Sequence, residues 1–520
     1  MSAPAWVATG VVTAFIAVTC WWLALDRGIP IYDVGNQLET ARGYYNMLAA
    51  GRLLGPFEHV GVYPILAHMV GAVAMLVGGA NVAAPTIAEN IVFVPLLAVG
   101  CYQTGRLLFG PLAGMLAVLC ALGSPLLISM FHVFLLDAPL AALVAVATWL
   151  VLASEDFSRV PMAAAAGMAV GLGINVKVQF GLFLAGLVLV VVVHGGWRNR
   201  RGLAAFSALA GLIGAPWYIV HATVLPKMLD LASSGPGTPV GNIPPTWSLV
   251  NFGWYFWSVL NSQLLAPLFA LALAGAIWTV TATIRNDDRR PVRVEFLSGG
   301  FAAWLALTLT PHHDIRYGLP LLPLVAVLAT GWIACLARGP RLAMSAVLVV
   351  AVAANTLGID FGVGTQAEVA LVRAPPTTEQ APDRLVLLST SGFLASAPSR
   401  DGDVPGLLRA LRRAGVRRVT WSTAESELPD FSTAGLLLLA RMAGLSPAPS
   451  KQIQPSLHMN VATLIHEPAG TRSSAACTRL SDGSAVWVAR YDAATGRPAL
   501  YCPSPRPRFY DLGFFAHPRR

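Results

Sequence analysis

The stretch WVATGVVTAFIAVTCWWLALDRGIPIYD, residues 6–33, sets a long apolar segment directly against a polar loop. Its first part, residues 6–25, has the roughly 20 apolar residues that an α-helix needs to cross the hydrocarbon core. No basic segment precedes it and no small-residue cleavage site follows it, so it is predicted to be an uncleaved first helix rather than a signal peptide. The same alternation of apolar runs and polar breaks continues to about residue 360, which predicts a polytopic membrane protein.

The composition supports this class of protein. Of 520 residues, 55% are hydrophobic and 12% are charged, and the charged fraction is about half of that in a typical soluble domain. The net charge of +9 would suggest nucleic-acid binding in a soluble protein. Here the arginines lie between apolar runs, where they orient the chain in the membrane. No nucleic-acid partner is predicted.

Arginine-rich loops follow every second apolar run and are predicted to be cytoplasmic. They lie at residues 106, 159, 197–201, 285–293 and 338–341. The complementary loops are predicted to face outward, at residues 26–85, 131–137, 173–179, 225–251 and 311–317. The N-terminus is therefore expected in the cytoplasm and the C-terminus outside.

This orientation gives about eleven transmembrane helices. They are predicted at residues 5–25, 86–105, 111–130, 138–153, 160–174, 180–195, 203–223, 263–284, 296–310, 318–336 and 342–360. One further apolar run, residues 60–79, would move the arginine-rich loops outward if it crossed the membrane. It is interpreted as an interfacial or re-entrant helix in the first outer loop, with a full crossing as the alternative.

The composition changes after residue 362, where Pro, Ser, Arg and Thr become common and apolar runs shorten. Residues 1–362 are predicted to form the membrane domain, and residues 363–520 a small soluble α/β domain on the outer side. Strands are predicted at 385–388, 418–421 and 485–489, with an amphipathic helix at 405–414 completing a strand–helix–strand unit. Cys477 and Cys502 are the two cysteines of this tail; a disulfide and two free thiols both remain open.

Three acidic residues stand in polar breaks that the orientation places on the outer side: Asp33, Glu58 and Asp137. Asp33 and Asp137 each precede a helical segment, so a helix cap is the structural alternative for both. Their position on one side of the membrane instead indicates a shared site.

Basic and aromatic residues are predicted on the same side, namely Lys177, His312, His313, Arg316 and Tyr317. An ionisable residue at the edge of the bilayer is costly and usually has a partner. Lys and Arg suit an anionic lipid headgroup, above all a phosphate. The alternatives are that Lys177 extends its ammonium to water and that Arg316 pairs with the neighbouring Asp314.

Metal-ligand motifs such as CxxC and HExxH are absent from the sequence, so ligand spacing does not support a metal cofactor. A divalent metal stays open as a cofactor.

An ordered series of motifs in residues 1–360 resembles the GT-C superfamily of membrane glycosyltransferases, specifically glycosyltransferase family 39, which includes protein O-mannosyltransferases and the aminoarabinose transferase of lipid A. The motifs are Asp33 in the first outer loop, FEHVGVYP (57–64), GRLLFGPLAG (105–114), SPLLISMFHVFLLDAP (124–139), GLGINVKVQF (171–180), GAPWYIVHA (214–222) and IRYGLPLLPLVAVLA (315–329).

The resemblance implies an inverting transferase that takes a sugar from a polyprenyl-phosphate donor and passes it to an extracytoplasmic acceptor, which is a cell-envelope glycan, a lipid or a protein. Asp33 would orient or deprotonate the acceptor hydroxyl, while Glu58 and Asp137 would shape the sugar and acceptor site. Lys177 and Arg316 would stabilise the leaving phosphate.

Three further side chains, those of Tyr317, His132 and His59, are expected to bind substrate. Membrane lipids would be the surrounding partners, and the Ala/Arg/Gly-rich composition suggests a bacterial inner membrane.

The chain departs from the family pattern in two places. Val34 follows Asp33 where many relatives have a second acid, and Val60 follows Glu58-His59 where a proline is common. These departures leave metal use and acceptor identity open. A transporter of a lipid-linked or anionic substrate and a non-catalytic membrane partner presenting the C-terminal domain remain as alternative functions.

Overall fold

The molecule is mainly helical. The computed structural model describes residues 3–26, 28, 30, 32–59, 63–223, 225–226, 245–285, 290–310, 313–370, 384–390, 397–398, 404–413, 418–422, 433–448, 461–467, 478–479, 485–491, 498–503 and 509–511. Up to residue 361 its helices are α1 (Ala3–Leu25), α2 (Tyr32–Ala49), α3 (Gly55–Glu58), α4 (Leu66–Gly78), α5 (Ala83–Phe109), α6 (Pro111–Leu122), α7 (Pro125–Phe131), α8 (Asp137–Ala153), α9 (Val160–Ile174), α10 (Phe180–His194), α11 (Arg200–Val220), α12 (Leu249–Ser258), α13 (Leu265–Ile284), α14 (Arg290–Leu309), α15 (Leu322–Cys335) and α16 (Arg338–Phe361). A π-helical segment, Val259–Leu264, joins α12 to α13, and a 3-10 segment, Ile315–Leu321, leads into α15.

Seven helical segments in the described part of the chain are long and apolar enough to cross a membrane. A bent pair, α6 and α7, makes an eighth if it counts as one span. The other three predicted spans are the shorter apolar helices α8, with 17 residues, and α9 and α10, with 15 each. The prediction of an all-α polytopic membrane domain is therefore confirmed.

The apolar run at residues 60–79 forms the helix α4, which has 13 residues. It is the shortest of the four shorter apolar helices in the described part of the chain, with a length of about 20 Å at about 1.5 Å per residue. The interpretation as an interfacial or re-entrant helix fits this length. Its His68 is fully buried, and the ring nitrogen Nδ1 lies 3.2 Å from the carbonyl oxygen of Pro64.

The bend between α6 and α7 amounts to 67°. Pro125 cannot continue the backbone hydrogen bonding of α6, and Ser124 starts α7 as its N-cap by accepting a hydrogen bond from the Leu127 amide. The Ser124 hydroxyl also donates to the carbonyl oxygen of Gln263 at 2.5 Å. The loop that follows α7, residues 132–136, leads directly into α8 and is mostly buried.

Contacts divide the chain into two compact units. One comprises Met1–Cys20, Gly43–Val77 and Ala84–Ala397, and the other Trp21–Arg42, Gly78–Ala83 and Pro398–Arg520. The first unit holds most of the membrane helices and a two-stranded antiparallel sheet of β1 (Ala367–Ala370) and β2 (Arg384–Leu388). The division of the chain into domains at residue 362 stays a prediction.

The second unit carries the helices α17 (Val404–Arg413) and α18 (Thr433–Met442) and a seven-stranded sheet in the order β4-β3-β5-β7-β8-β9, with β6 paired to β7. Its strands are β3 (Arg418–Ser422), β4 (Ser446–Ala448), β5 (Val461–Glu467), β6 (Thr478–Arg479), β7 (Ala485–Tyr491), β8 (Pro498–Pro503) and β9 (Phe509–Asp511). Strands β3, β4 and β5 are parallel, and the other pairings are antiparallel.

The predicted strand–helix–strand unit was wrong in its pairing. The strand at 385–388 pairs with β1 in the first unit, whereas β3 pairs with β4 and β5. The helix between them is present as α17. Strand pairing is a long-range property, so a correct assignment of each segment does not fix its partner. Cys477 lies outside the described residues, as does the side chain of Cys502, so the disulfide stays a prediction.

Candidate functional site

A buried ion pair joins the start of α8 to the loop between α9 and α10. The Nζ atom of Lys177 lies 2.8 Å from Oδ1 of Asp137, and the two side chains are 8% and 3% exposed. Asp137 makes no N-cap hydrogen bond, and Lys177 does not extend to water. Both structural alternatives for these residues were wrong. The loop and the helix start therefore hold two opposite charges away from solvent.

The charge of Lys177 is maintained by its neighbours. Burial lowers the pKa of Lys177. The Asp137 carboxylate and the phenol groups of Tyr317 and Tyr63 together raise this pKa by more than burial lowers it, so the net shift is upward. The Nζ atom also lies 4.9 Å from the centre of the Tyr317 ring, in a cation–π contact. The ammonium group is thus protonated at neutral pH.

A second ion pair lies in the segment before α15. Arg316 donates to Oδ2 of Asp314 from Nη2 at 2.9 Å and from Nε at 3.1 Å, and its backbone N–H donates to Oδ1 at 3.0 Å. Burial raises the pKa of Asp314, but Arg316 and then Lys177 lower it more, so the carboxyl group ionises below its ordinary range. The alternative that Arg316 pairs with Asp314 is correct. We name Tyr63, Asp137, Lys177, Asp314, Arg316 and Tyr317 the Lys177 cluster.

The segment between α1 and α5 meets this cluster through its second half. The Leu66 amide, at the start of α4, donates to the carbonyl oxygen of Asn175 at 2.9 Å, two residues before Lys177. Tyr63 lies just before α4, and its phenol interacts with the Lys177 charge. The motif FEHVGVYP therefore contributes Tyr63 to the cluster, a residue that the sequence analysis did not single out.

Helix α5 brings two polar side chains to the same region. Asn90 donates from Nδ2 to the carbonyl oxygen of Phe131 at 2.7 Å, which fixes the end of α7. Glu89 is 0% exposed, and its carboxyl group interacts electrostatically with Asp137. It lies near the Leu135 backbone, but no described residue makes a hydrogen bond of ordinary geometry with either carboxyl oxygen. Sequence reasoning missed Glu89 because it stands inside an apolar run.

His132 forms a buried pair with the end of the last long helix. Its Nε2 atom lies 2.8 Å from Oδ1 of Asp360, and the side chains are 0% and 3% exposed. Asp360 is held because α16 ends at Gly362, which has a φ of +65° and a backbone N–H that donates to the Gly358 carbonyl oxygen. His132 therefore connects the loop before α8 to α16, and its role in substrate binding stays a prediction.

Replacing Asp360 by alanine is expected to destabilise the protein by about 2–3 kcal/mol, because it removes the charged partner of a buried histidine. Asp360→Asn should cost less, since the amide oxygen still presents a partial negative charge to the imidazole. Thermal unfolding of the purified protein in detergent measures both. An alanine variant as stable as the wild type would show that the pair contributes nothing.

The remaining predicted residues of the first unit are arranged differently. Glu58 is an exposed residue whose carboxylate pairs with Arg52 at 3.4 Å. The carbonyl oxygen of His59 lies 3.1 Å from Nε2 of His221. The His59 ring packs edge-on against the Tyr44 ring, with ring centres 5.6 Å apart. His313 is buried and stacks on Tyr255, with ring centres 5.3 Å apart. His312 lies outside the described residues.

Asp33 belongs to the second compact unit. It stands in the first turn of α2, where it is the second residue of the helix rather than its N-cap, and it is half-buried. Its acid lies at the N-terminal end of the helix, where the helix dipole stabilises a negative charge. The structural alternative of a helix cap stays open for this residue.

Among the described side chains, no group of three His, Cys, Asp or Glu residues could hold a metal ion. The chemistry that the Lys177 cluster offers is that of fixed cations, carboxylates and phenols. Such a set binds and stabilises an anion whose charge changes during a reaction.

Comparison with known proteins gives a family model and structural matches. Residues 62–220 match the family model described as dolichyl-phosphate-mannose-protein mannosyltransferase. The fold is similar to the crystal structure of ArnT from Cupriavidus metallidurans in the apo state, with a TM-score of 0.57 and 13% identity over 94% of this chain and 99% of that chain. It is also similar to ArnT from Cupriavidus metallidurans bound to undecaprenyl phosphate, with a TM-score of 0.55 and 14% identity over 92% and 98% of the two chains. No curated protein matches the sequence significantly.

Proposed function

We propose that this chain, whose fold is that of the GT-C superfamily, is a membrane glycosyltransferase that moves a sugar from a polyprenyl-phosphate donor to an acceptor. The observation that carries the proposal is the buried Lys177 cluster, in which a protonated lysine and an arginine are held by two carboxylates among apolar helices. Buried charge of this kind is costly and is kept where it serves a reaction or a ligand.

The positions of the helix ends support a proposal for the side of the membrane on which the cluster lies. Lys177 lies between the end of α9 and the start of α10, whereas Arg159 precedes α9 and Arg198 follows α10. Because an antiparallel helix pair places these ends apart, the cluster and the arginines lie at opposite ends of the pair. Basic loops mark the cytoplasmic side, which supports an extracytoplasmic reaction. We also propose a bacterial inner-membrane location, supported by the Ala/Arg/Gly-rich composition.

The reaction requires a leaving group that carries away an electron pair. The acceptor oxygen forms a bond to the anomeric carbon as the bond from that carbon to the phosphate oxygen breaks, and the acceptor proton passes to a base. Negative charge grows on the departing polyprenyl phosphate. Lys177 and Arg316 are the cations that we propose to stabilise it, with Tyr317 and Tyr63 as hydrogen-bond donors.

Asp137 and Asp314 orient these cations rather than take part in proton transfer. Each carboxylate accepts a hydrogen bond from its basic partner within 3 Å, so it fixes the orientation of the Lys177 or Arg316 side chain. Asp33 is the proposed base, on the strength of its place in the first outer loop of a GT-C fold. Glu58 is exposed and is proposed to contact the acceptor.

An apolar cavity of about 250 Å³ lies beside the 3-10 segment before α15. Tyr255 and Gly318 line it; Gly318 follows Tyr317 in the chain, and Tyr255 interacts electrostatically with Asp314 and Tyr317. The cavity therefore adjoins the Lys177 cluster. This arrangement supports a donor that combines an anionic phosphate with an apolar chain.

The test is a transfer assay with the full-length protein in proteoliposomes. A panel of polyprenyl-phosphate sugars, radiolabelled in the sugar, is supplied with an extract of native acceptors. We expect label to leave the lipid fraction and enter the acceptor, with release of one polyprenyl phosphate for each sugar transferred. Label that crosses the bilayer while still attached to lipid would support a transporter. No transfer from any donor, with the panel verified on a known enzyme of this class, would contradict the proposal.

A further inference from the structure

The helix that carries Asp33 is tied to the C-terminal part of the chain. Glu39 and Arg42 lie one turn apart on α2, and their side chains pair at 3.5 Å. Arg441, in the last turn of α18, pairs with the Glu39 carboxylate through its guanidinium group. In return Arg42 donates from Nη2 to the backbone carbonyl oxygen of Arg441 at 3.3 Å. The three residues close a ring, which we name the Arg441 clamp.

The clamp joins residues that are about 400 positions apart in the chain. Arg42 contributes a cation to the C-terminal end of α18, where backbone carbonyl groups carry partial negative charge. Glu39 is the carboxylate between two guanidinium groups. The contact therefore has two different components, a charge pair between side chains and a charge–dipole contact with the helix end.

Arg441 is held in place by its own domain. Gly444 follows α18 with a φ of +75°, and the Leu445 amide donates to the Ala440 carbonyl oxygen at 2.9 Å. These features end the helix with the left-handed glycine turn that is usual at helix C-termini. The next residues form β4, which pairs with β3 in the sheet. The position of Arg441 is therefore set by the fold of the C-terminal domain.

The clamp and Asp33 occupy different faces of α2. At about 100° per residue, Glu39 and Arg42 lie roughly 120° to 180° around the helix axis from Asp33. A contact on that face fixes the rotation of α2 about its axis without covering the Asp33 carboxylate. Glu39 and Arg42 are themselves half-buried, with 33% and 19% exposure.

We propose that the C-terminal domain positions Asp33 for the transfer reaction, and that Arg441 is the positioning residue through which it does so. The inference rests on the proposed function, in which Asp33 is the base that accepts the acceptor proton. It assigns a role to the tail that the membrane domain alone does not supply. Arg441 touches no substrate; it acts through Glu39, Arg42 and α2.

The kinetic test uses Arg441→Gln, Arg441→Lys and the control Arg413→Gln in the full-length protein. Arg413 is an exposed arginine at the end of α17 in the same domain. Because a small displacement of a catalytic group is costly, we expect Arg441→Gln to lower kcat by about tenfold while the KM for the lipid donor stays within about twofold. Arg441→Lys keeps the charge and should recover most of the loss. Arg413→Gln should behave as wild type.

A second measurement tests the contact without activity. In Arg441→Lys, a zero-length carbodiimide should link the new amine to the Glu39 carboxylate as an amide, and mass spectrometry of the digested protein identifies the joined peptides. Glu39→Gln in the same background removes the carboxylate and serves as the control. Failure to form this link in the folded protein would overturn the clamp.

The outcomes separate the inference from the proposed function. Full kcat in Arg441→Gln, with activity lost in Asp33→Asn, would overturn the positioning role and leave the transferase proposal intact. Full activity in Asp33→Asn would remove the base assignment and the positioning role with it, whatever the cross-linking result. A tenfold loss of kcat with recovery by lysine, together with the cross-link, supports the inference.

Discussion

Replacing Lys177 by methionine is expected to lower sugar transfer by roughly 10² to 10³-fold, the loss typical of removing a group that stabilises transition-state charge. The same change should destabilise the protein by about 3–5 kcal/mol, because it leaves the Asp137 carboxylate buried without its cation. The Lys177 side chain is 8% exposed and the Asp137 side chain 3% exposed. Water therefore cannot replace the missing ammonium group.

The double variant Lys177→Met/Asp137→Asn separates the two effects. With both charges gone, the desolvation cost also disappears, and we expect most of the lost stability to return. Activity should not return, because the leaving phosphate still lacks the Lys177 ammonium group. Unfolding in detergent and kcat are measured for both variants. A single variant with wild-type turnover would contradict the assigned role, as would recovery of turnover in the double variant.

The exposed pair Arg52–Glu58 provides the matched stability control. Its atoms lie 3.4 Å apart and its side chains are 62% and 67% exposed. Arg52→Met should change the free energy of unfolding by less than about 1 kcal/mol, since water screens a surface ion pair. The contrast with Lys177→Met attributes the larger loss to burial rather than to the removal of any positive charge.

Replacing Asp33 by asparagine is expected to lower kcat by roughly 10² to 10⁴-fold, the usual contribution of a positioned general base. The amide is nearly isosteric with the carboxylate, and Asp33 is half-buried in the first turn of α2. Expression and thermal stability should therefore remain close to wild type. A stably expressed variant with normal turnover would remove Asp33 from the proton-transfer step.

An anionic nucleophile distinguishes the loss of a base from other defects. Azide needs no deprotonation, so it can attack the anomeric carbon in Asp33→Asn and displace polyprenyl phosphate, forming a glycosyl azide. We expect azide to restore donor turnover in Asp33→Asn but not in Lys177→Met, where assistance to the leaving group is missing. Equal failure in both variants would argue against the base role.

Much of the membrane fold could be predicted from the sequence because burial in lipid imposes long apolar runs. The fold is similar to that of two ArnT crystal structures, and every predicted span corresponds to a helix or a helix pair. The 67° bend after α6 was not predicted, although Gly123-Ser124-Pro125 contains a cap and a helix breaker. Residues 111–130 were predicted as one continuous span, because hydropathy alone does not reveal a bend in the backbone.

The candidate site was predictable where charge interrupted an apolar run. Asp137, Lys177, Arg316 and Tyr317 were singled out, and the structure brings them together. Glu89 was missed although an ionisable residue inside a predicted span is itself a functional signal. The His132–Asp360 pair could not be predicted from the sequence, because the two residues stand 228 positions apart. Neither residue lies in a local motif that identifies the other as its partner.

The distance along the chain between the two halves of the Arg441 clamp has a consequence for biosynthesis. At about 5–20 residues per second, a ribosome reaches Arg441 roughly 20 to 80 s after it has completed Arg42. During that interval the remaining membrane helices are made, but α2 has no clamp. If the clamp has the positioning role proposed here, a nascent or prematurely ended chain lacks the contact that orients Asp33, and we expect the full rate of sugar transfer only after the C-terminal part of the protein has folded.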